Sequence, residues 1–346
     1  MTNLKKYGKG FLGRFSKIIP LTTLINVTGE RLFMPFYHII SNEKVPHISH
    51  LYPVRDIIHF EKDLEYLLKY YEPIGVDKLL RITIGEETIT RNSFFLSFDD
   101  GLKEMYEIVV PILLKKGIPA TFFINSGFVD NRDLFYRYKA SLLIDCVQTK
   151  KMPDQVLEQA KKKLGTVAKG INEIRKALLN ITYQTKHILD NIAELWELDF
   201  EAYLQTTQPY LTTAQCIELK NKGFSFGAHS IDHPMYHTIP YEEQIRQTLE
   251  SLRWVSENEL CDKKLFAFPF TDYNVSRAFF DVIFNVGNPV VDLSFGGAGL
   301  KGDYAGKHLQ RFPMEGTLEP AQKLIFGEYL YYLLKMPLNK NRIERV

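Results

Sequence analysis

Cysteine is nearly missing from this chain: its 346 residues include three, Cys146, Cys216 and Cys261. The number is odd, the positions lie far apart and no Cys-x-x-Cys pair occurs. That argues against a disulfide framework and against a thiolate zinc site, and leaves reduced packing residues. An excess of charge is missing too. Lys and Arg total 43 against 41 Asp and Glu, and a balance of +2 offers no global electrostatic basis for a nucleic-acid partner. No run of about 18 apolar residues occurs, so the sequence holds no candidate spanning helix. A convincing export signal is also wanting. Residues 5–25 begin with Lys5, Lys6 and Lys9, but Arg14, Lys17 and Pro20 interrupt the apolar stretch and no small-residue cleavage site follows. The expectation is a cytoplasmic protein. Phe11, Leu12, Phe15, Ile18 and Ile19 recur at helical spacing among the basic residues. A terminal helix packed on the domain is the first reading; an interfacial helix on the anionic inner face of a membrane is the second.

What the chain does have is enough apolar material, 45% of residues, to bury a substantial core. Short apolar runs alternate with longer amphipathic segments, the pattern of an α/β fold with a mainly parallel sheet. Strands are predicted at residues 36–40, 93–98, 120–125, 224–228, 265–270 and 290–295, each rich in Phe, Ile, Val or Leu and flanked by Gly, Pro, Asn or Asp. Helices are predicted at 60–71 and 241–255 from one-sided apolar spacing, and at 102–116, where Pro111 must kink or restart the helix. From about 134 to 211 the strand signal vanishes and Leu, Ala, Lys, Glu and Gln dominate, as in a helical insertion beside the mouth of the fold. A lid is its expected role. The run Lys161-Lys162-Lys163 reads as a solvated face. Three regions are expected: an N-terminal extension over 1–33, the main domain with its insertion over 34–316, and a C-terminal helix with a basic tail over 317–346. The basic termini leave peripheral membrane contact open.

Chemistry concentrates in two motifs. Ser97-Phe98-Asp99-Asp100-Gly101 follows the apolar strand Phe94-Phe95-Leu96 and precedes a helical segment. Its two carboxylates therefore sit at a strand's C-terminal end, where α/β barrels keep their active sites. Adjacent carboxylates repel unless a cation or proton intervenes. The second motif, His229-Ser230-Ile231-Asp232-His233, follows the strand-like Phe224-Ser225-Phe226, and Pro234 disfavours a helix at His233. A tight turn after the strand aims both rings at one point. Two imidazoles and one carboxylate can hold a divalent ion with a position open for water, and a second carboxylate can take that water's proton.

With these motifs in this order, the sequence resembles the polysaccharide deacetylase, or NodB-homology, family of carbohydrate esterases. The likeness runs from about residue 36 to 312, insertion excluded, and includes Ala120-Thr121-Phe122-Phe123-Ile124 as the strand after the first motif. It implies a distorted (β/α)7 barrel. It implies Asp99 as the catalytic base, Asp100, His229 and His233 as ligands of a divalent metal, usually zinc, and hydrolysis of N-acetyl groups on a glycan or glycan precursor. Two departures follow. Ala267, in Phe266-Ala267-Phe268-Pro269-Phe270, stands where the family usually has an arginine that contacts the base. Arg311 from a later strand is the candidate replacement, or else a plain salt-bridge residue. For the acid that protonates the leaving amine, His308 is the nearest candidate in position, against a packing role, with the newly protonated Asp99 as the other source. Asp292 either orients a site group or caps a strand. An O-acetyl esterase and a metal-retaining glycan-binding protein without turnover stand as alternatives.

Overall fold

The computed structural model describes residues 13, 16, 18–167, 170–315 and 317–345. Phe11, Leu12 and Phe15 of the N-terminal helical pattern lie outside them; Ile18 is exposed, Ile19 packs on the core, and Leu21–Thr28 is a helix. The centre of the molecule is a parallel sheet. Its strands are β1 (Pro35–Tyr37), β2 (Leu96–Phe98), β3 (Ala120–Ile124), β4 (Ser225–Ala228), β5 (Leu265–Ala267), β6 (Leu293–Gly296), β7 (His308–Gln310) and β8 (Phe312–Pro313). They pair in chain order from β1 to β7, every pair parallel, and β8 returns to pair with β1. Since β7 and β8 are separated by Arg311 alone, one bent stretch closes the ring, and the sheet is a barrel of seven staves. Five predicted strands fall where the sequence placed them, although several are shorter. The sixth starts later, at Leu293, and the closing stretch had no apolar run to reveal it.

Side chains alternate faces along each stave. Met34, Phe95, Phe123, Leu265, Ala267, Leu293 and Phe295 form one apolar cluster inside the ring. Tyr37, Leu96, Phe98, Phe122, Ile124, Phe226 and Phe266 belong to the larger core between ring and helices. That outer layer includes α1 (Ile57–Tyr70), which buries Phe60, Leu64 and Leu67 behind its Asp56 N-cap. A π-turn over Met105–Val109 precedes α2 (Val110–Lys116), so Pro111 restarts the helix as its sequence position required.

Between β3 and β4 the chain leaves the barrel as five helices: α3 (Tyr136–Thr149), α4 (Asp154–Lys163), α5 (Ile171–Leu179), α6 (His187–Leu195) and α7 (Phe200–Thr207). They share a second apolar core with Ile39, Val45, Ile48 and Leu102 from the barrel side. The chain returns through α8 (Thr213–Asn221), closed by a Thr212–Gln215 capping box. Further helices are α9 (Tyr241–Glu257), α10 (Arg277–Ile283) and α11 (Ala321–Lys335), and a short one spans Val76–Thr83 between α1 and β2. Among the described residues no helix is long and apolar enough to cross a membrane.

Candidate metal centre

The period of two that fills the ring also aims polar groups at its rim. Continuing the inward rows Met34-x-Phe36, Phe95-x-Ser97 and Leu309 by two residues reaches His38, Asp99 and Arg311; from Gly227 the same step reaches His229. All four line one cavity of about 410 Å³ at the C-terminal end of the staves, together with Asp100, His233, Tyr52, Tyr138, Arg137, Phe270 and Glu315.

Asp100 breaks from the strand with φ 74°, and Gly101 continues at 68°. A Cβ at Gly101 would press on Ile124 at 3.0 Å. Positive φ favours Gly and tolerates Asp. The turn swings the Asp100 carboxylate towards the second motif. There the loop is folded by Ser230 and His233, with φ 69° and 61°. The Ser230 hydroxyl accepts from the His233 N–H at 3.0 Å, the Asn125 amide donates to the His229 carbonyl, and the Ile231 N–H donates to Gln247 Oε1 at 2.9 Å. Held this way, His233 Nε2 and His229 Nε2 lie 3.2 and 3.6 Å from Asp100 Oδ1.

These three residues are buried, and Asp100 Oδ1 has no hydrogen-bond donor. Its other oxygen accepts from the Tyr138 hydroxyl at 2.8 Å. His229 Nδ1 is 2.8 Å from the Ala267 carbonyl, which can only accept, so Nδ1 carries the proton and Nε2 presents its lone pair. Burial lowers the His229 imidazolium to about 4, with the Asp99 and Asp100 charges only partly opposing, so the ring is neutral near pH 7. His233 is fixed by packing between Phe135 and Phe270, at ring separations of 4.4 and 4.6 Å. An orphaned buried carboxylate oxygen facing two imidazole nitrogens, all within 4.8 Å of one another, fits a divalent ion.

Asp99 does not join that triad. Arg311 Nη1 and Nη2 donate to its two oxygens at 2.6 and 2.8 Å, and Nη1 also donates to Ser97 Oγ at 3.0 Å. The guanidinium is sandwiched by Phe36 and Phe123, 4.4 and 5.0 Å from their centroids. Burial pushes the Asp99 carboxyl up, but Arg311 and His229 more than offset it and hold the group below the usual carboxylate range. An arginine therefore touches Asp99 from the closing stave, while Ala267 serves the site through its backbone carbonyl.

His308 stands elsewhere. One residue out of phase with Leu309 and Arg311, it points out of the ring, buried against Ser294 (Nδ1 to Oγ 2.6 Å) and Asp272 (Nε2 to Oδ2 3.1 Å), and it does not line the cavity. Asp272, Asp303 and His308 form a second cluster close enough to share an ion, but Arg345 already occupies both carboxylates, with Nη2 at 2.6 Å from Asp303 Oδ2. Asp292 caps the neighbouring strand by accepting from the Lys264 N–H at 2.8 Å.

The imidazole in the cavity that sequence reading missed is His38. Glu315 accepts from the His38 and Ile39 N–H groups at 2.8 and 2.9 Å and from His38 Nδ1 at 2.6 Å. Burial alone would lower this imidazolium; Glu315, with Asp100 and Asp99 behind it, raises it to about 9. The alternation Phe36-Tyr37-His38 at the end of the first stave was the available signal.

The insertion is fastened to the histidine loop. Asp232 accepts from the Tyr183 hydroxyl at 2.7 Å, from Lys186 Nζ at 2.7 Å and from Gln247 Nε2 at 2.7 Å. Tyr138, Arg137 and Phe135, which wall the cavity, also come from the insertion.

The polysaccharide deacetylase family model matches residues 86–279. Among curated proteins none matches the sequence. Solved structures similar to the chain include the Streptococcus pyogenes deacetylase PplD in complex with acetate (14% identity, TM-score 0.54, 86% of this chain and 97% of that one). IcaB from Ammonifex degensii is similar at 14% identity and TM-score 0.51, over 86% of this chain and 96% of that one. A de-N-acetylase from Aggregatibacter actinomycetemcomitans is similar at 13% identity and TM-score 0.50, over 85% and 99%. At such identities the likeness concerns the fold.

Proposed function

Because more than half of its residues match the family model, the chain belongs to the polysaccharide deacetylase family, and from that premise we propose that it hydrolyses N-acetyl groups on a glycan or glycan precursor. The observation that carries the reading is the juxtaposition of the orphaned Asp100 oxygen, the two histidine nitrogens and the separate, ionised Asp99 in one cavity. Asp100, His229 and His233 would hold the ion, and two imidazoles with one carboxylate suit zinc. When bound, such an ion supplies a Lewis acid for the acyl oxygen and an acidified water.

The rest falls to the chain's own groups. Asp99 accepts the proton of the attacking water, and Arg311 keeps it ionised and oriented. His38, charged at neutral pH and held by Glu315, faces the same cavity and is the group able to protonate the departing amine. The acid role offered to His308 passes to it, since His308 is walled off by Ser294 and Asp272. Phe270 stands 42% exposed at the cavity with φ 55°, an unfavourable backbone for an aromatic residue, and presents its ring as a stacking surface for a sugar.

A binding-only reading rested on an absent arginine and an absent acid; Arg311 on Asp99 and His38 in the cavity weigh against it. The test is acetate release from N-acetylglucosamine oligomers by the wild type and by Asp99→Asn at equal metal content. Loss of release in the variant alone supports the proposal. Inactivity of both removes it, and release from O-acetylated xylan alone transfers the reading to an esterase.

A further inference from the structure

Among the described residues, every charged side chain lining the cavity belongs to an ion pair or to the Asp100, His229 and His233 cluster, with one exception. Asp99 has Arg311, His38 has Glu315, and Asp100 faces the two histidines. The exception is Arg137, the second residue of α3. No carboxylate among the described residues pairs with it. One N–H is anchored on the Leu179 carbonyl at the end of α5. Burial lowers its guanidinium below the ordinary value.

An arginine that is half-buried, aimed by one backbone contact and left without an anion is an incomplete arrangement. Desolvating a guanidinium is unfavourable unless an acceptor compensates. Its planar fork has further N–H donors free to meet two oxygens at once. Phe135, just ahead of α3, and Tyr138 within it contact His233 and Asp100, and Arg137 lines the same cavity as these four residues.

From this we propose that Arg137 is the cation of an anion subsite, and that the sugar bearing the N-acetyl group carries, or lies next to, a carboxylate or phosphate. The proposal rests on reading the cavity as the substrate site. It gives the insertion a role in selecting substrate: the helices that fasten over the histidine loop also deliver the residue that recognises charge. A uronate within an acidic glycan and the phosphate of a carrier-linked sugar share the recognising chemistry, and the test separates them.

Equilibrium binding to the metal-loaded protein is measured with three probes: a neutral N-acetylglucosamine disaccharide, the same disaccharide oxidised to a C6 carboxylate, and N-acetylglucosamine 1-phosphate. The wild type is expected to bind at least one anionic probe about tenfold or more tightly than the neutral one, a preference that shrinks at high salt. Arg137→Gln should erase the preference and leave the neutral probe within about twofold; Arg137→Lys should keep part of it. A carboxylate preference points to an acidic glycan and a phosphate preference to a carrier-linked sugar. Equal binding of all three probes to the wild type, no binding of either anionic probe, or a loss in Arg137→Gln that weakens all three alike overturns the proposal. Because the readout is binding, absence of acetate release would count against the deacetylase reading and leave this result standing.

Discussion

Arg311 grips Asp99 with both terminal guanidinium nitrogens, at 2.6 and 2.8 Å, across 212 positions of sequence. The same residue separates the two half-strands that close the barrel. Closure of the ring and orientation of the proposed base are therefore one event: pairing His308–Gln310 with β6 and Phe312–Pro313 with β1 leaves the intervening side chain pointing inward beneath Asp99.

Removing Arg311 should accordingly harm both fold and activity. Arg311→Met leaves a buried carboxylate without its partner, a loss on the order of 3–5 kcal/mol, and should cut acetate release by about 100-fold or more. Adding Asp99→Asn to it should restore much of the stability, read by urea unfolding, with no return of activity.

Tyr138 bears on the metal. Its hydroxyl occupies the Asp100 oxygen that faces away from the histidines. Tyr138→Phe should weaken metal binding by about tenfold, as expected when a group that orients a ligand is lost. Competition with a chelating dye measures this directly; an unchanged affinity would mean the hydroxyl only fills space.

The His38 and Glu315 pair gives a pH signature. Raised to about 9 from an ordinary 6.5, His38 makes its stabilising contribution in full below pH 6.5 and loses it as pH rises through 9. If it protonates the leaving amine, kcat/KM should fall on the alkaline side near pH 9. Glu315→Gln removes the main raising charge, so that fall should move towards pH 6.5 and activity at pH 8 should drop far more than at pH 6.

Asp232 ties the insertion down through Tyr183 and Lys186. In the double variant Tyr183→Phe, Lys186→Ala, amide exchange across α5 and α6 should quicken and KM should rise severalfold while kcat stays within about twofold. Unchanged exchange would show that the apolar core of the insertion holds it closed without these bonds.

The sequence alone determined the two metal motifs, most of the staves and the presence of a helical insertion. Each is written in neighbouring residues: an apolar run, a turn that Asp-Gly or a residue before Pro favours, a change in periodicity. Asp100 and the paired histidines were legible because each lies at the end of such a run. His38 was hidden by its commonplace surroundings, and His308 was favoured by its position in the chain although a shift of one residue sends it out of the ring. Which cation meets Asp99, which carboxylate holds His38 and which tyrosine steadies Asp100 were decided only by tertiary structure. The partners in these contacts are 212, 277 and 38 residues apart, and no local pattern encodes them. They exist because a strand of fixed period must complete a ring and because an insertion must bury its own apolar face against the rim that the ring provides.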